Sequence, residues 1–195
     1  MVNAIIKLPY PENEPVYDYV AGSREAEKLS EELAGQSKNP LEIPLIIGGK
    51  EVKTGILGEL HSPHNHGLLL GTYHKATKET IAAAIDSAMT ARKKWMNMPW
   101  QSRAAIFLKA ADLLATKYRP ILNAATMLGQ SKTAQQAEID SACELIDFFR
   151  FNVHYMRKIY SIQPEHNNEH VWNYVEYRPL EGFVFALSPF NFTSI

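Results

Sequence analysis

Cysteine is almost absent from this sequence, since Cys143 is the only one in 195 residues. A single thiol cannot form an intrachain disulfide, which fits a reducing compartment. An excess of either charge is also missing, because 20 Lys and Arg residues stand against 21 Asp and Glu, for a net charge of −1. The sequence therefore lacks the basic surplus that is typical of nucleic-acid binding.

Long apolar runs are missing as well. No stretch approaches the ~20 apolar residues of a membrane-spanning helix. The first residues lack the apolar core of a signal peptide and the Arg-rich, acid-poor composition of a transit peptide. A hydrophobic content of 46% and a charged content of 21% are typical of a globular chain. The predicted location is the cytoplasm, or the mitochondrial matrix for a mature chain whose presequence has been removed.

The most informative stretch is 181–195, which reads EGFVFALSPFNFTSI. Five apolar residues follow Gly182, and such a short run of aromatic and aliphatic residues predicts a strand buried on both faces. Ser188-Pro189 ends that strand, because Pro has no N–H to donate to a ladder. The next residues lie beyond the strand's carboxyl end, where open α/β sheets bind their ligands.

Asn191 stands in this position between two Phe residues, and a rigid side-chain amide there could stabilise a developing oxyanion. The run GFVFALSPFNF resembles the aldehyde dehydrogenase family. The resemblance implies that Asn191 completes the oxyanion hole, that Ser188, Pro189 and Phe190 line an NAD site, and that Phe192 faces the substrate. The alternative is that SPFN is only a turn, because Asn tolerates turn geometry.

A more specific resemblance comes from the amino-terminal half. NEPVYDYVAGSREAEKL and IPLIIGGKEVKTG resemble one branch of that family, the Δ1-pyrroline-5-carboxylate (L-glutamate γ-semialdehyde) dehydrogenases. The resemblance implies NAD-dependent oxidation of a small aldehyde, L-glutamate γ-semialdehyde, to L-glutamate in proline degradation. It covers nearly the whole chain and corresponds to the N-terminal portion of such an enzyme.

Apolar periodicity indicates an α/β protein in which several helices precede the strand at 182–187. The predicted elements are an extended arm at 1–22, helices at 24–33 (ended by Gly35) and from 77, 99 and 120, and a long helix over 131–160. A strand at 43–47 begins a hairpin through Gly48-Gly49, and Gly129 is the predicted cap of the helix that starts at Pro120.

By resemblance, these elements form the N-terminal part of the aldehyde dehydrogenase fold, with helices packed on the start of a Rossmann-like parallel sheet, plus an oligomerisation strand. The expected division is an arm and helical part at 1–160, an oligomerisation region at 161–180, and the first strand of the nucleotide-binding sheet at 181–195.

Side chains alternate from Val171 to Arg178, with aromatic residues on both sides. A two-sided aromatic strand outside the main sheet suggests a surface that pairs with another subunit. The resemblance also places the oligomerisation hairpin here, so we predict a homodimer or larger homo-oligomer through 171–178. The alternative is an ordinary edge strand of one subunit.

Glu144 and Cys143 both lie on the predicted long helix. By resemblance Glu144 matches an acid near the family's substrate entrance, although an acid on a helix is usually solvated. Cys143 has Ala142 and Glu144 as neighbours, and a carboxylate disfavours the thiolate that a nucleophile requires. We therefore predict an inert, buried thiol and no dehydrogenase activity for these 195 residues alone, because the family's nucleophile belongs to a later segment.

Three histidines occur close together in HSPHNH at 61–66. A metal site needs ligands that converge on one point, and neither Cys nor a carboxylate accompanies them. Pro63, Asn65 and Gly67 instead indicate a turn between two strands, so no metal site is predicted.

Two further functions remain open. One is an aldehyde dehydrogenase of other substrate specificity. The other is a non-catalytic, truncated remnant that acts as an interaction module through 171–178.

Overall fold

The structure, a computed structural model, describes residues 7–195. The predicted arm therefore lies partly outside it, since residues 1–6 are not among those described. Residues 7–22 carry no helix or strand. Helix α1, Arg24–Lys38, begins where the Ser23 hydroxyl accepts from the Ala26 amide. It continues through Gly35, where we had predicted its end, and Asn39 is its C-cap.

Five short strands follow: β1 Leu41–Ile43, β2 Leu45–Ile47, β3 Lys50–Val52, β4 Leu57–Ser62 and β5 Asn65–His74. The predicted hairpin is confirmed, because β2 pairs with β3 in antiparallel fashion around Gly48 and Gly49, both at positive φ. The single strand predicted at 43–47 is wrong. It divides at Pro44, which has no N–H for a ladder, and β1 joins a different sheet.

That second sheet has the order β1-β5-β4, with β1 parallel and β4 antiparallel to β5. Gly71 of β5 pairs with Leu41 of β1, and a Cβ at Gly71 would lie 2.5 Å from the Leu41 carbonyl oxygen. The backbones can approach this closely only because residue 71 has no side chain.

Helices form the rest of the core: α2 Lys78–Asn97, α3 Trp100–Leu113, α4 Arg119–Gln130, α5 Ala134–Ala137 and α6 Glu144–Tyr160. Two π-helical segments, Leu114–Tyr118 and Glu138–Cys143, connect α3 to α4 and α5 to α6. The buried centre consists of Ala111, Ala142 and Ile146, where α3 packs against α6. The long helix predicted over 131–160 is therefore interrupted. Gly129 is not a cap, because α4 ends one residue later and Ser131 takes the left-handed conformation.

The two strands predicted near the carboxyl end are absent from the described chain, at 171–178 and at 182–187. In the first of these stretches a side chain takes over main-chain hydrogen bonds that a ladder would make. Val175 N–H donates to the Gln163 side chain at 2.8 Å, and Gln163 donates to the Val175 carbonyl at 3.1 Å. The reason is that a strand needs a neighbour, and no segment within 7–195 pairs with either stretch.

Candidate active site around Asn191

The segment that carries Asn191 is docked on the carboxyl end of α4. Ser131, the C-cap of α4, has φ 56° and ψ 32°, a left-handed conformation that terminates the helix. Its hydroxyl lies 2.8 Å from His64 Nδ1 in the turn between β4 and β5. The turn predicted at HSPHNH is confirmed, and within residues 7–195 no group of three potential ligands could hold a metal ion. His64 contacts the helix end instead.

Gln130, the last residue of α4, binds the backbone of Asn191 and of the two residues after it. With its amide turned so that both polar atoms find partners, Gln130 donates to the Asn191 carbonyl at 3.1 Å. Its oxygen accepts from the amides of Phe192 at 3.2 Å and Thr193 at 3.1 Å. One side chain thereby satisfies three main-chain groups of a segment that has no regular structure of its own.

Lys132 makes a second set of contacts with the same segment. Its ammonium group lies 2.6 Å from Asp140 Oδ2, 3.2 Å from the Asn191 carbonyl oxygen, and 4.5 Å from the centre of the Phe192 ring. The Asp140 carboxylate offsets the positive charge, and the ring faces the cation in a cation–π contact. Ser194 adds a third anchor, because its hydroxyl donates to the Ser141 carbonyl at 2.9 Å.

These contacts hold the backbone of Asn191 but not its side chain. Asn191 is exposed, and its carboxamide has no hydrogen-bond partner among residues 7–195. A side-chain amide that is free on a fixed backbone can donate to a ligand. Ser188, Pro189 and Phe190 are exposed immediately before it, with Phe190 97% accessible.

Glu144 lies farther from the Asn191 segment than Gln130 and Lys132 do. It is the first residue of α6 and is half-buried, three residues after Ser141. Within the described chain, no hydrogen bond or ion pair joins Glu144 to the Asn191 segment. The structure therefore brings Asn191 and Phe192 together with Lys132 and Gln130. Glu144 lies about one helical turn beyond Ser141, the residue that anchors Ser194.

Sequence reasoning missed a buried ionic cluster that ties the arm to the helices. Arg119, 3% exposed, contacts both Glu138, which is fully buried, and Glu14 at 2.5 Å. Arg150 reaches the second Glu14 oxygen at 2.6 Å. Burial alone would raise the pKa of Glu138, but hydrogen bonds from Arg119, the Tyr19 hydroxyl and the Tyr17 amide hold that pKa below its ordinary value.

A signal for Glu138 was available in the sequence. Residues four, eight and eleven positions further on are Ala142, Ile146 and Phe149, so Glu138 falls on the same stripe as the apolar core. An acid on an apolar stripe requires a buried partner. Periodicity could have indicated that a cation was needed, although it could not have identified Arg119.

The prediction that Cys143 is a buried, inert thiol is confirmed. It is 5% exposed at the end of the second π-helical segment. Burial, followed by the nearby Glu138 carboxylate, raises the pKa of the Cys143 thiol to about 12. A thiol in this environment is not a nucleophile at neutral pH.

The aldehyde dehydrogenase family profile matches residues 54–195. This match defines the class: the chain belongs to the aldehyde dehydrogenase family and has the N-terminal part of its fold. None of the helices within 7–195 is long and apolar enough to cross a membrane.

Several individual relatives are similar to this chain over nearly its whole length. The mitochondrial Δ1-pyrroline-5-carboxylate dehydrogenase of Emericella nidulans is 53% identical over 193 residues, which are 98% of this chain and 34% of the relative. The human mitochondrial enzyme of the same name is 45% identical over 94% of this chain and 32% of its own length. The Mycobacterium tuberculosis Δ-pyrroline-5-carboxylate dehydrogenase bound with NAD superposes with a TM-score of 0.95 at 48% identity, covering 98% and 36%. The chain thus spans about a third of the length of the curated relatives it matches.

Proposed function

We propose that this chain forms the N-terminal part of an NAD-dependent dehydrogenase that oxidises L-glutamate γ-semialdehyde, the open form of Δ1-pyrroline-5-carboxylate, to L-glutamate. The observation that carries the proposal is the fixed backbone and free carboxamide of Asn191 in a chain 53% identical to a relative of that name. The same relatives are named mitochondrial, which favours the mitochondrial matrix over the cytoplasm.

In this proposal the carboxamide of Asn191 donates a hydrogen bond to the oxygen of the aldehyde. A thiolate from a part of the enzyme outside these residues adds to the carbonyl carbon, and the oxygen becomes an oxyanion. The amide then binds the charged oxygen more strongly than the neutral carbonyl, which lowers the barrier. Loss of hydride gives a thioester, which water hydrolyses to the acid. NAD, when bound, supplies the hydride acceptor.

Ser188, Pro189 and Phe190 fit the role of a cofactor wall, because they are exposed side by side and offer a hydroxyl and two apolar rings. We place Phe192 and Glu144 on the substrate side. The Phe192 ring lies next to Asn191 and is held under Lys132, and Glu144 opens the helix that follows Ser141.

We also propose that residues 171–178 contact a second copy of the chain. Trp172 is 89% exposed and Tyr174 is 69% exposed. Large aromatic side chains of this kind dominate the energetics of protein interfaces.

Replacing Asn191 in the full-length enzyme tests the catalytic proposal. Loss of one oxyanion donor costs about 10²–10³ in rate, so Asn191→Ala should lower kcat by that factor and leave the affinity for NAD nearly unchanged. Asn191→Asp should be worse, because a carboxylate has no donor and repels the developing charge. Asn152→Ala, an exposed amide on α6, is the matched control.

If Asn191 serves only the turn, the outcome differs. Asp also tolerates turn geometry, so the Asp variant would keep near-normal kcat. That result would end the oxyanion assignment.

A further inference from the structure

We infer that Gln130 is a positioning residue for the Asn191 carboxamide, with Lys132 as its auxiliary. The inference rests on the proposed function, because it concerns the same oxyanion donor. It adds a residue that touches neither substrate nor cofactor and acts through the backbone of residue 191.

The contacts of Gln130 determine the orientation of one peptide group. Its amide binds both polar groups of the peptide that joins Asn191 to Phe192, the carbonyl at 3.1 Å and the N–H at 3.2 Å. Because a peptide group is planar, holding both groups fixes the plane and hence the backbone angle next to the Asn191 side chain. The third bond, from Thr193 N–H at 3.1 Å, prevents the following residue from swinging away.

The contacts of Gln130 act on a segment that has no regular secondary structure among the described residues. Residues 181–190 are exposed, and the described chain has no ladder to hold them. Among the described residues, Gln130 and Lys132 hold the carbonyl of Asn191. A displacement of about 1 Å in a catalytic group can cost about 10²-fold in rate.

The contacts of Gln130 come from a well-supported part of the fold. Gln130 is the last residue of a helix, and the two residues after it are each held from another element. Ser131 contacts His64 of the β4–β5 turn, and Lys132 pairs with Asp140 of the π-helical segment. A site supported in this way by packed elements keeps its geometry better than a site on a free loop.

Lys132 shares the Asn191 carbonyl with Gln130, at 3.2 Å. Its charge is already paired with Asp140, so its effect on the segment is to hold the carbonyl and the Phe192 ring. Gln130 makes three of the contacts and Lys132 two, which is why Gln130 is the residue to test.

A double-mutant cycle in the full-length enzyme separates positioning from general support of the fold. The four proteins are the wild type, Gln130→Ala, Asn191→Ala and the double variant, each assayed for kcat and for the KM of NAD with glutamate γ-semialdehyde as substrate. We expect Gln130→Ala to lower kcat about 10- to 100-fold with the KM for NAD unchanged. In the Asn191→Ala background the same change should cost less than about 2-fold, because the group that it positions is gone.

Two further variants keep the result interpretable. Gln130→Glu retains an acceptor for the Phe192 and Thr193 amides but cannot donate to the Asn191 carbonyl, so its kcat should lie between those of the wild type and the Ala variant. Gln135→Ala, an exposed Gln on α5, should leave kcat unchanged.

The outcomes are distinguishable. A normal kcat for Asn191→Ala would overturn both the catalytic proposal and this inference. A low kcat for Asn191→Ala combined with a normal kcat for Gln130→Ala, or with an equal loss in both backgrounds, would overturn the positioning role alone.

Discussion

Cys143 illustrates, at the scale of a single residue, how burial decides reactivity. The thiol lies 3.4 Å from an Arg119 nitrogen, which by itself would favour a thiolate. Burial and the Glu138 carboxylate outweigh that cation, so the pKa rises to about 12. At pH 8 the thiolate fraction is then roughly one in 10⁴.

We therefore expect Cys143 in the folded 195-residue chain to resist a thiol reagent at pH 8, and the chain to show no dehydrogenase activity. After denaturation in guanidinium chloride, the thiol should react at the rate of a free Cys, whose pKa is about 8.5. The measurement is the absorbance released by a disulfide reagent, with and without denaturant. Rapid stoichiometric labelling of the folded chain would contradict the assignment.

At the scale of the element, the π-helical segment Glu138–Cys143 contacts both the Arg119 cluster and the segment that carries Asn191. Glu138 points inward to the Arg119 cluster, and the Ser141 carbonyl receives Ser194. The cluster joins the arm to α4 and α6 through charges that are out of water. Removing one partner of a buried ion pair costs about 3–5 kcal/mol, because the other charge is left uncompensated.

Glu138→Gln should lower the free energy of unfolding at pH 7 by less than that amount, because Arg119 remains paired with Glu14. Since the folded pKa of Glu138 lies below the unfolded value of about 4.3, the unfolded chain binds the proton first. The contribution of the carboxylate is therefore present above about pH 4.3 and is lost as the pH falls through the folded pKa.

The check is the urea midpoint of wild type and Glu138→Gln at pH 7 and at successively lower pH. The difference between the two should narrow in acid. Glu31→Gln, an exposed acid on α1, should show little difference at any pH. A gap between wild type and Glu138→Gln that stays constant into acid would contradict the ionic role.

At the scale of the whole molecule, the main feature is the apolar surface of the carboxyl-terminal quarter. Leu187 is 82% exposed, in addition to Trp172 and Phe190.

Changing both Trp172 and Tyr174 to Ser in the full-length enzyme should shift the particle to a smaller size by light scattering, because the aromatic anchors of the proposed interface are lost. Ile46→Ser, an exposed apolar residue on the β2–β3 hairpin, should leave the size unchanged. If size and melting temperature both stay the same in the double variant, residues 171–178 belong to the surface of one subunit.

Elements whose burial follows a local period can be predicted from the amino-acid sequence. The helices near 24, 78, 100 and 119 and the Gly48-Gly49 hairpin were predictable, because each presents a regular apolar stripe or a turn that needs positive φ. The inert character of Cys143 was predictable from its neighbours. The family was recognisable from the motifs around Pro44 and Asn191 and is confirmed by the matches.

Contacts between residues far apart in the sequence could not be predicted and become visible only in the folded chain. The pairing of Glu14 with Arg119 and the contact of Gln130 with the Asn191 backbone join residues that are about 60 to 105 positions apart. Within residues 7–195 the stretches 171–178 and 182–187 contain no strand, because no described segment pairs with them. Periodicity indicates whether a residue is buried, whereas the tertiary structure determines which residue it contacts.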